Sequence, residues 1–215
     1  MFYLGEELYF PPLSQTHPTG IVAFGGDLSL RRLELAYRSG IFPWFEDGEP
    51  INWYSPAERM VLFFEDLKVS KSLKKIIDRK VFEITFNTAF REVITNCQEV
   101  KRSGQLGTWI TDDMIHAYCK LHEAGMAQSV EVWENGQLVG GLYGIDLGHI
   151  FCGESMFSLR SNASKVAFVH LVEKLKQENY LLLDCQVFNP HLESLGAVEI
   201  DRDDFLMILK SAKKL

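Results

Sequence analysis

Apolar positions along the chain fall into two regimes. Up to about residue 60, apolar and aromatic residues come in short bursts between turn signals: PP at 11–12, then HPTG, FGGD, FPW, DGEP and YSP. One helix fits among them, over 30–39, entered through Asp27 or Ser29 as N-cap and stopped by Gly40. From Val61 the pattern becomes regular. In SKSLKKIIDRK, capped by Ser70, an advance of about 100° per residue puts Leu73, Ile76 and Ile77 on one face and Lys71, Lys74 and Lys75 on the other. A strand over 81–85 and helices over 88–97 and 112–124 follow. SVEVWE, QLVGGLYGID and HIFCGE then read as strands, with Asn135-Gly136 as a hairpin turn and a second turn at Leu147-Gly148. The helix over 162–178 is apolar nearly all round in its first half and reads as buried. LLLDCQV is too apolar for an exposed edge strand, and a short helix over HLESLGA precedes a last strand-helix pair that runs to Leu215.

This order predicts a mixed α/β (α+β) chain of two units. Residues 1–62 are expected to form a small turn-rich N-terminal domain and 63–215 a larger, more regular one. A meander feeding a buried helix and a buried strand resembles the later half of the GNAT acyltransferase fold, which points to a site where the central strands splay. Fold analogy alone does not assign a function. CoA enzymes of that fold hold the pyrophosphate on a glycine-rich loop, whereas FSLRSNASK has no glycine. An acyl carrier other than CoA is expected.

Composition sharpens the picture in three places. With 47% apolar and 12% aromatic residues, the 215-residue chain can bury a large core. A net charge of −7 argues against coating nucleic acid through the overall field, yet 68–80 carries six basic residues against one acid, a net of +5. A solvated helix face and an anionic partner are both open readings of that contrast. Cys97, Cys119, Cys152 and Cys185 lie 22, 33 and 33 residues apart, with no CxxC and no zinc-ligand spacing, so reduced thiols and no metal are expected. The acidic start MFYLGEELYFPP is unlike a signal peptide, and no apolar run reaches membrane-spanning length; the cytoplasm is the expected compartment.

Candidate chemistry concentrates late in the chain. Asp184 and Gln186 are two apart in a strand and should share a face, with Asp184 accepting from the Gln186 amide and leaving the Gln186 carbonyl aimed elsewhere. A buried pair satisfying nearby backbone is the competing reading. Glu154 sits in FCGESMFS, beside Phe151, Met156 and Phe157, where a carboxylate requires donors or a cation. Arg160 or Lys165 would make it an internal ion pair; a substrate cation is the alternative. Trp44, Trp53 and Trp109 stand beside turns, and exposed aromatics near a basic helix stack nucleobases at about 1–3 kcal/mol per base. Core packing is the alternative for each.

GGDL (25–28), AYRSGIFPWF (36–45), TWI (108–110), AYCKLHEAG (117–125), SVEVWENGQLVGGLYG (129–144), FCGESMFS (151–158), NASK (162–165), LLDCQV (182–187) and HLESLGA (191–197) together resemble the leucyl/phenylalanyl-tRNA protein transferase family. The match runs from about Pro12 to Leu209. The resemblance implies an enzyme that moves leucine or phenylalanine, and methionine weakly, from charged tRNA to a protein beginning with arginine or lysine, marking it for N-degron proteolysis. It also implies a GNAT-related larger domain and no cofactor. A monomer is the simplest expectation.

Carried onto matching positions, the resemblance makes Gln186 the group whose carbonyl draws a proton from the attacking amine, Asp184 its orienter, and Glu154 a buried anion holding the acceptor's basic side chain or the aminoacyl-adenosine. Trp44 and Trp109 match the aromatics around the terminal adenine, and Tyr118 in AYCKLHEAG is a further substrate contact. Phe151, Met156 and Ser158 match the pocket for the transferred side chain, with Leu142, Phe168, Leu171, Leu175 and Leu183 from neighbouring elements. Lys71, Lys74, Lys75, Arg79 and Lys80 would follow the acceptor-stem backbone. WYSPAER stands where many members read WWSPDPR, Lys68 where a histidine is common and Gln128 where AHS is common, positions expected to lie away from the chemistry. A CoA-dependent N-acyltransferase and a non-catalytic RNA-binding module are the rival readings. The glycine-free loop counts against the first, and the second predicts that Gln186→Ala and Asp184→Ala change no activity.

Overall fold

The computed structural model describes residues 1–100 and 109–211; Thr108 of the TWI motif and residues 212–215, to which the last helix is expected to run, lie outside them. In the N-terminal unit, β1 (Tyr3–Leu4), β2 (Ile21–Gly25), β3 (Phe42–Pro43) and β4 (Asn52–Tyr54) form a small sheet in the order β1-β2-β4-β3. Helix α1 (Leu30–Arg38) starts at Ser29, whose hydroxyl accepts from the Arg32 backbone N–H. Buried Arg32 then fastens the chain start, donating to the carbonyls of Gly5 at 2.8 Å and Glu7 at 3.1 Å. Trp53, read above as a candidate stacking residue, is instead wholly buried, its indole N–H donating to Gly25 O at 2.8 Å.

The larger sheet comprises β5 (Glu58–Leu62), β6 (Glu83–Phe86), β7 (Ala127–Glu134), β8 (Gln137–Asp146), β9 (Ile150–Ser158), β10 (Leu182–Gln186) and β11 (Val198–Asp201), ordered β11-β5-β10-β9-β8-β7-β6. The strand β5, which ends at residue 62, hydrogen-bonds to β10 and β11 in this sheet. The turn between β7 and β8 is the expected Asn-Gly hairpin, with φ of 52° at Asn135 and 74° at Gly136. Helices α2 (Lys71–Asp78), α3 (Phe90–Glu99), α4 (Asp112–Glu123), α5 (Ala163–Gln177), α6 (Pro190–Ser194) and α7 (Arg202–Lys210) complete the fold. The helix expected over 88–97 begins later because Thr85 and Thr88 turn their hydroxyls onto buried Glu131 of β7, at 2.7 and 3.0 Å, and hold the chain in a turn.

Two cores flank the sheet. On one face α5 presents Ala167, Phe168, Leu171 and Leu175 to Val130, Leu142, Phe151 and Leu183. On the other, α3 and α4 cover Tyr143, Ile145, Cys152 and Phe157, and the same core runs on into α1 and the small sheet. Within the larger sheet only β9 and β10 pair in parallel, joined through α5 as a parallel connection requires. That pairing ends at Asp184↔Cys152. Beyond it the two central strands part, as the sequence order led us to expect.

Candidate active site

Both strands are irregular where they part. Along β8 and β9, Tyr143 faces Ser155 and Gly144 faces Gly153, so Glu154 is the extra residue of a β-bulge. Gly144 makes this possible: a Cβ there would lie 2.2 Å from the Cys152 carbonyl oxygen and 2.4 Å from the Phe151 ring. In β10 the register slips between Asp184 and Gln186, and Gln186 takes a left-handed φ of 66°. Such a conformation in a non-glycine residue costs on the order of 1–3 kcal/mol and persists where neighbours enforce it.

The enforcing contacts are on both sides of Gln186. Its backbone N–H donates to Asp184 Oδ1 at 2.9 Å, and its side-chain amide donates to Glu154 Oε1 at 2.7 Å. The expected geometry therefore needs correction: Asp184 accepts from the backbone of Gln186, and the side-chain amide goes to Glu154. The register slip removes the strict alternation on which that expectation rested. An ionised carboxylate only accepts, so the NH2 faces Glu154 and the carbonyl Oε1 is the remaining acceptor at the cavity.

Asp184 is itself held by Arg59, which donates to both carboxylate oxygens at 2.8 and 2.7 Å with the two side chains 2% and 0% exposed. The Arg59 guanidinium lies between the rings of Phe42 and Phe205, 4.7 Å from each centroid, and donates to Gly40 O at 3.3 Å. Arg59 is the arginine that WYSPAER shares with WWSPDPR, whereas the residues that depart from that pattern are Tyr54, Ala57 and Glu58.

Among the described residues Glu154 forms an ion pair with neither expected cation: Arg160 pairs with Glu134 at 3.1 Å, and the charge of Lys165 acts on His191. Its Oε2 accepts from the Tyr118 hydroxyl at 3.2 Å, and Tyr118 is in turn hydrogen-bonded to Tyr37. Burial pushes the Glu154 carboxyl up to about 7; the Tyr37 hydroxyl counteracts this, the Asp184 charge adds to it, and donation from Tyr118 and Gln186 pulls it back. Cys185 also reaches the cavity, but burial holds its thiol far above the ordinary range, which rules it out as a ready thiolate nucleophile.

A cavity of about 250 Å³ opens over this cluster. Trp44 and Trp109 line it, as do Leu142, Met156, Phe168, Leu171, Leu183, Glu154 and Gln186. Five expected residues stand outside its lining, among them Tyr118, which is fully buried and meets the site only through Glu154. Asp184 is buried behind Gln186, while Phe151 and Leu175 lie in the core against α5. Ser158 is exposed and accepts from the Ser164 N–H, which makes it part of the start of α5.

The sequence model for leucyl/phenylalanyl-tRNA protein transferase matches residues 61–210, and the model for that protein's N-terminal domain matches 26–57. The chain belongs to the leucyl/phenylalanyl-tRNA protein transferase family. Proteins of that name from Flavobacterium johnsoniae and Flavobacterium psychrophilum are 63% and 60% identical to it, each over 98% of this chain and 100% of the relative. A GCN5-related N-acetyltransferase-like protein from Streptococcus suis superposes with a TM-score of 0.37 at 15% identity, over 80% of this chain and 66% of that one.

Within this transferase, three groups at the site escaped sequence reasoning: Tyr37, Arg59 and the stretch from β10 into α6, which brings Asn189 and His191 to the cavity. Tyr37 and Arg59 both lie inside quoted motifs, AYRSGIFPWF and WYSPAER, and that was the available signal. The basic helix is as expected. Ser70 caps α2, Leu73 packs on Val166 and Val169 of α5, and Lys71, Lys74, Lys75, Arg79 and Lys80 are exposed. Asp78 pairs with Lys74 at 3.0 Å and offsets part of that charge. Among the described residues, no helix is long and apolar enough to cross a membrane.

Proposed function

We propose that this chain transfers leucine or phenylalanine, and methionine weakly, from charged tRNA to the α-amino group of proteins beginning with arginine or lysine. The observation that carries the reading is the Glu154–Gln186 hydrogen bond at the parted strands, beneath a cavity with both apolar and tryptophan walls. Leu142, Met156, Phe168, Leu171 and Leu183 would receive an unbranched-β apolar side chain. Such a pocket separates substrates differing by one methylene only weakly, hence the tolerance of methionine. Trp44 and Trp109 would hold the terminal adenine, and Tyr118 reaches the site through Glu154.

The ester of an aminoacyl-tRNA is already activated, so alignment with the amine does much of the work and no acyl-enzyme is needed. An α-amino group has a pKa of about 7.7–8.0, so a fraction is neutral near pH 7. Gln186 Oε1 accepts a hydrogen bond from that amine, while Asp184 and Arg59 keep Gln186 in place. The two-unit division at 62, the cytoplasm, a monomeric state and a role in N-degron proteolysis belong to the same reading.

The test is mass spectrometry of an arginine-starting peptide incubated with the protein and leucyl-tRNA, beside an acetyl-CoA control. A leucine-sized gain that requires charged tRNA is expected; an acetyl gain, or none, would sink the reading. For α2, Lys74→Ala with Lys75→Ala should raise KM for charged tRNA and lower the salt slope by about 1 to 2, near 0.7–0.9 per lost phosphate contact. An unchanged slope removes both lysines from the tRNA footprint.

A further inference from the structure

We propose that Glu154 is the proton shuttle of the transfer, taking the proton that the attacking α-amine sheds and returning it to the ribose oxygen that leaves. The proposal rests on the aminolysis reading above and adds to it the group that carries the proton. Gln186 cannot be that group. An amide carbonyl accepts hydrogen bonds but is far too weak a base to hold a proton near pH 7. Its side-chain NH2 is bonded to Glu154 at 2.7 Å, so an amine held on its Oε1 is brought to the Glu154 carboxylate.

The other titratable groups around Glu154 are unsuited to the task. Tyr118 of α4 and Tyr37 of α1 are buried, and burial first, then the Glu154 charge, holds both phenols well above their ordinary range. Cys152 of β9 is likewise raised by burial. Asp184 of β10 is closed off by Arg59 of β5, with no exposed surface to meet a substrate. His191 of α6 lines the same cavity, and burial with nearby Lys165 lowers its pKa. It stands as the rival base that the test must separate. Glu154 alone combines cavity exposure, a fixed orientation and a carboxyl poised at about 7, between the extremes where a group would either never take a proton or never return it.

The step balances without any added reactant. The amine nitrogen bonds to the ester carbonyl carbon, and its proton passes to the Glu154 carboxylate. The bond from that carbon to the ribose oxygen then breaks with its electron pair on oxygen, and the Glu154 proton neutralises it. One amide, one free ribose hydroxyl and the original carboxylate remain. Behind Glu154 the Tyr118–Tyr37 pair donates toward Oε2 and favours the charged form.

The experiment is single-turnover transfer from leucyl-tRNA to saturating arginine-starting peptide between pH 5.5 and 9. In the wild type the rate should rise with pH about a midpoint near 7. Glu154→Gln preserves an acceptor for the Gln186 amide, so it should fold, and it should lower kcat by about 100-fold or more with peptide KM changed less than about threefold. Tyr118→Phe removes a donor that favours the carboxylate, so its midpoint should move upward and its loss at pH 7 should recover at pH 9. A Glu154→Gln enzyme that keeps kcat and raises only peptide KM would make Glu154 a charge holder and overturn the shuttle, leaving the transferase reading intact. The limb of the amine itself, about 7.7–8.0, is expected in both enzymes; a limb near 7 that persists in Glu154→Gln would pass that titration to another group such as His191 and overturn the shuttle equally. Wild-type protein that transfers nothing sinks both readings.

Discussion

Arg59→Met should be the most damaging single substitution in this protein. It removes the partner of a fully buried carboxylate, and breaking such a pair costs about 3–5 kcal/mol because the remaining charge is left uncompensated. For a chain of this size that corresponds to a fall in Tm of roughly 10 °C or more. The informative variant is the double one, Arg59→Met with Asp184→Leu. Replacing a buried ion pair by apolar residues of similar volume is often neutral or stabilising, so Tm should return to near the wild-type value. The rate should not return. Asp184 Oδ1 accepts the Gln186 N–H, and without it the left-handed turn that aims Gln186 at Glu154 loses its support. Thermal denaturation beside single-turnover transfer separates the two effects. A double variant that regains wild-type kcat would show that the pair serves stability alone.

The second large effect is expected at Gly144, where no charge changes. In Gly144→Ala the new methyl meets the Cys152 carbonyl oxygen at 2.2 Å and the Phe151 ring at 2.4 Å, so backbone must move. Overpacking of this kind costs about 1–3 kcal/mol. The larger consequence is chemical, because the displaced backbone is the bulge that carries Glu154. Transfer should fall about 100-fold, the range of lost general acid-base catalysis, while tRNA affinity stays unchanged. Gly148→Ala serves as the comparison. Its φ of 83° strains an alanine too, but nothing lies within 4 Å and the turn is remote from the cavity. That variant should lose stability and keep its rate per folded molecule. Equal loss of rate in both would mean that the Gly144 contact has no special part in placing Glu154.

The sequence carried the elements well where one physical period dominated. The Asn-Gly hairpin, the buried α5, the capped basic α2 and the apolar β10 all stand within a residue or two of their expected positions. The site was legible as a set of residue types but not as a set of contacts. Strand alternation put Asp184 and Gln186 on one face, and a one-residue slip undid that inference. Glu154 looked in need of a nearby cation, and its partners turned out to be neutral donors from other segments. Arg59 meets Asp184 across 125 residues and Tyr37 meets Tyr118 across 81. No local period encodes pairings of that span. Phe151 and Ser158 failed as cavity residues for a related reason: Phe151 turns into the core against α5 and Ser158 meets the start of that helix, leaving Met156 at the cavity.

Arg59 is gripped by Phe42 from the N-terminal unit and by Phe205 from α7. A side chain held this way ties the reaction centre to the order in which the polypeptide is made. Synthesis proceeds at about 5–20 residues per second, and domains tend to fold as they emerge. Asp184 and Arg59 can leave the ribosome well before Phe205, with one wall of the guanidinium's aromatic slot still missing. The reaction centre therefore reaches its working form only after Phe205 has been translated and α7 has docked on Arg59.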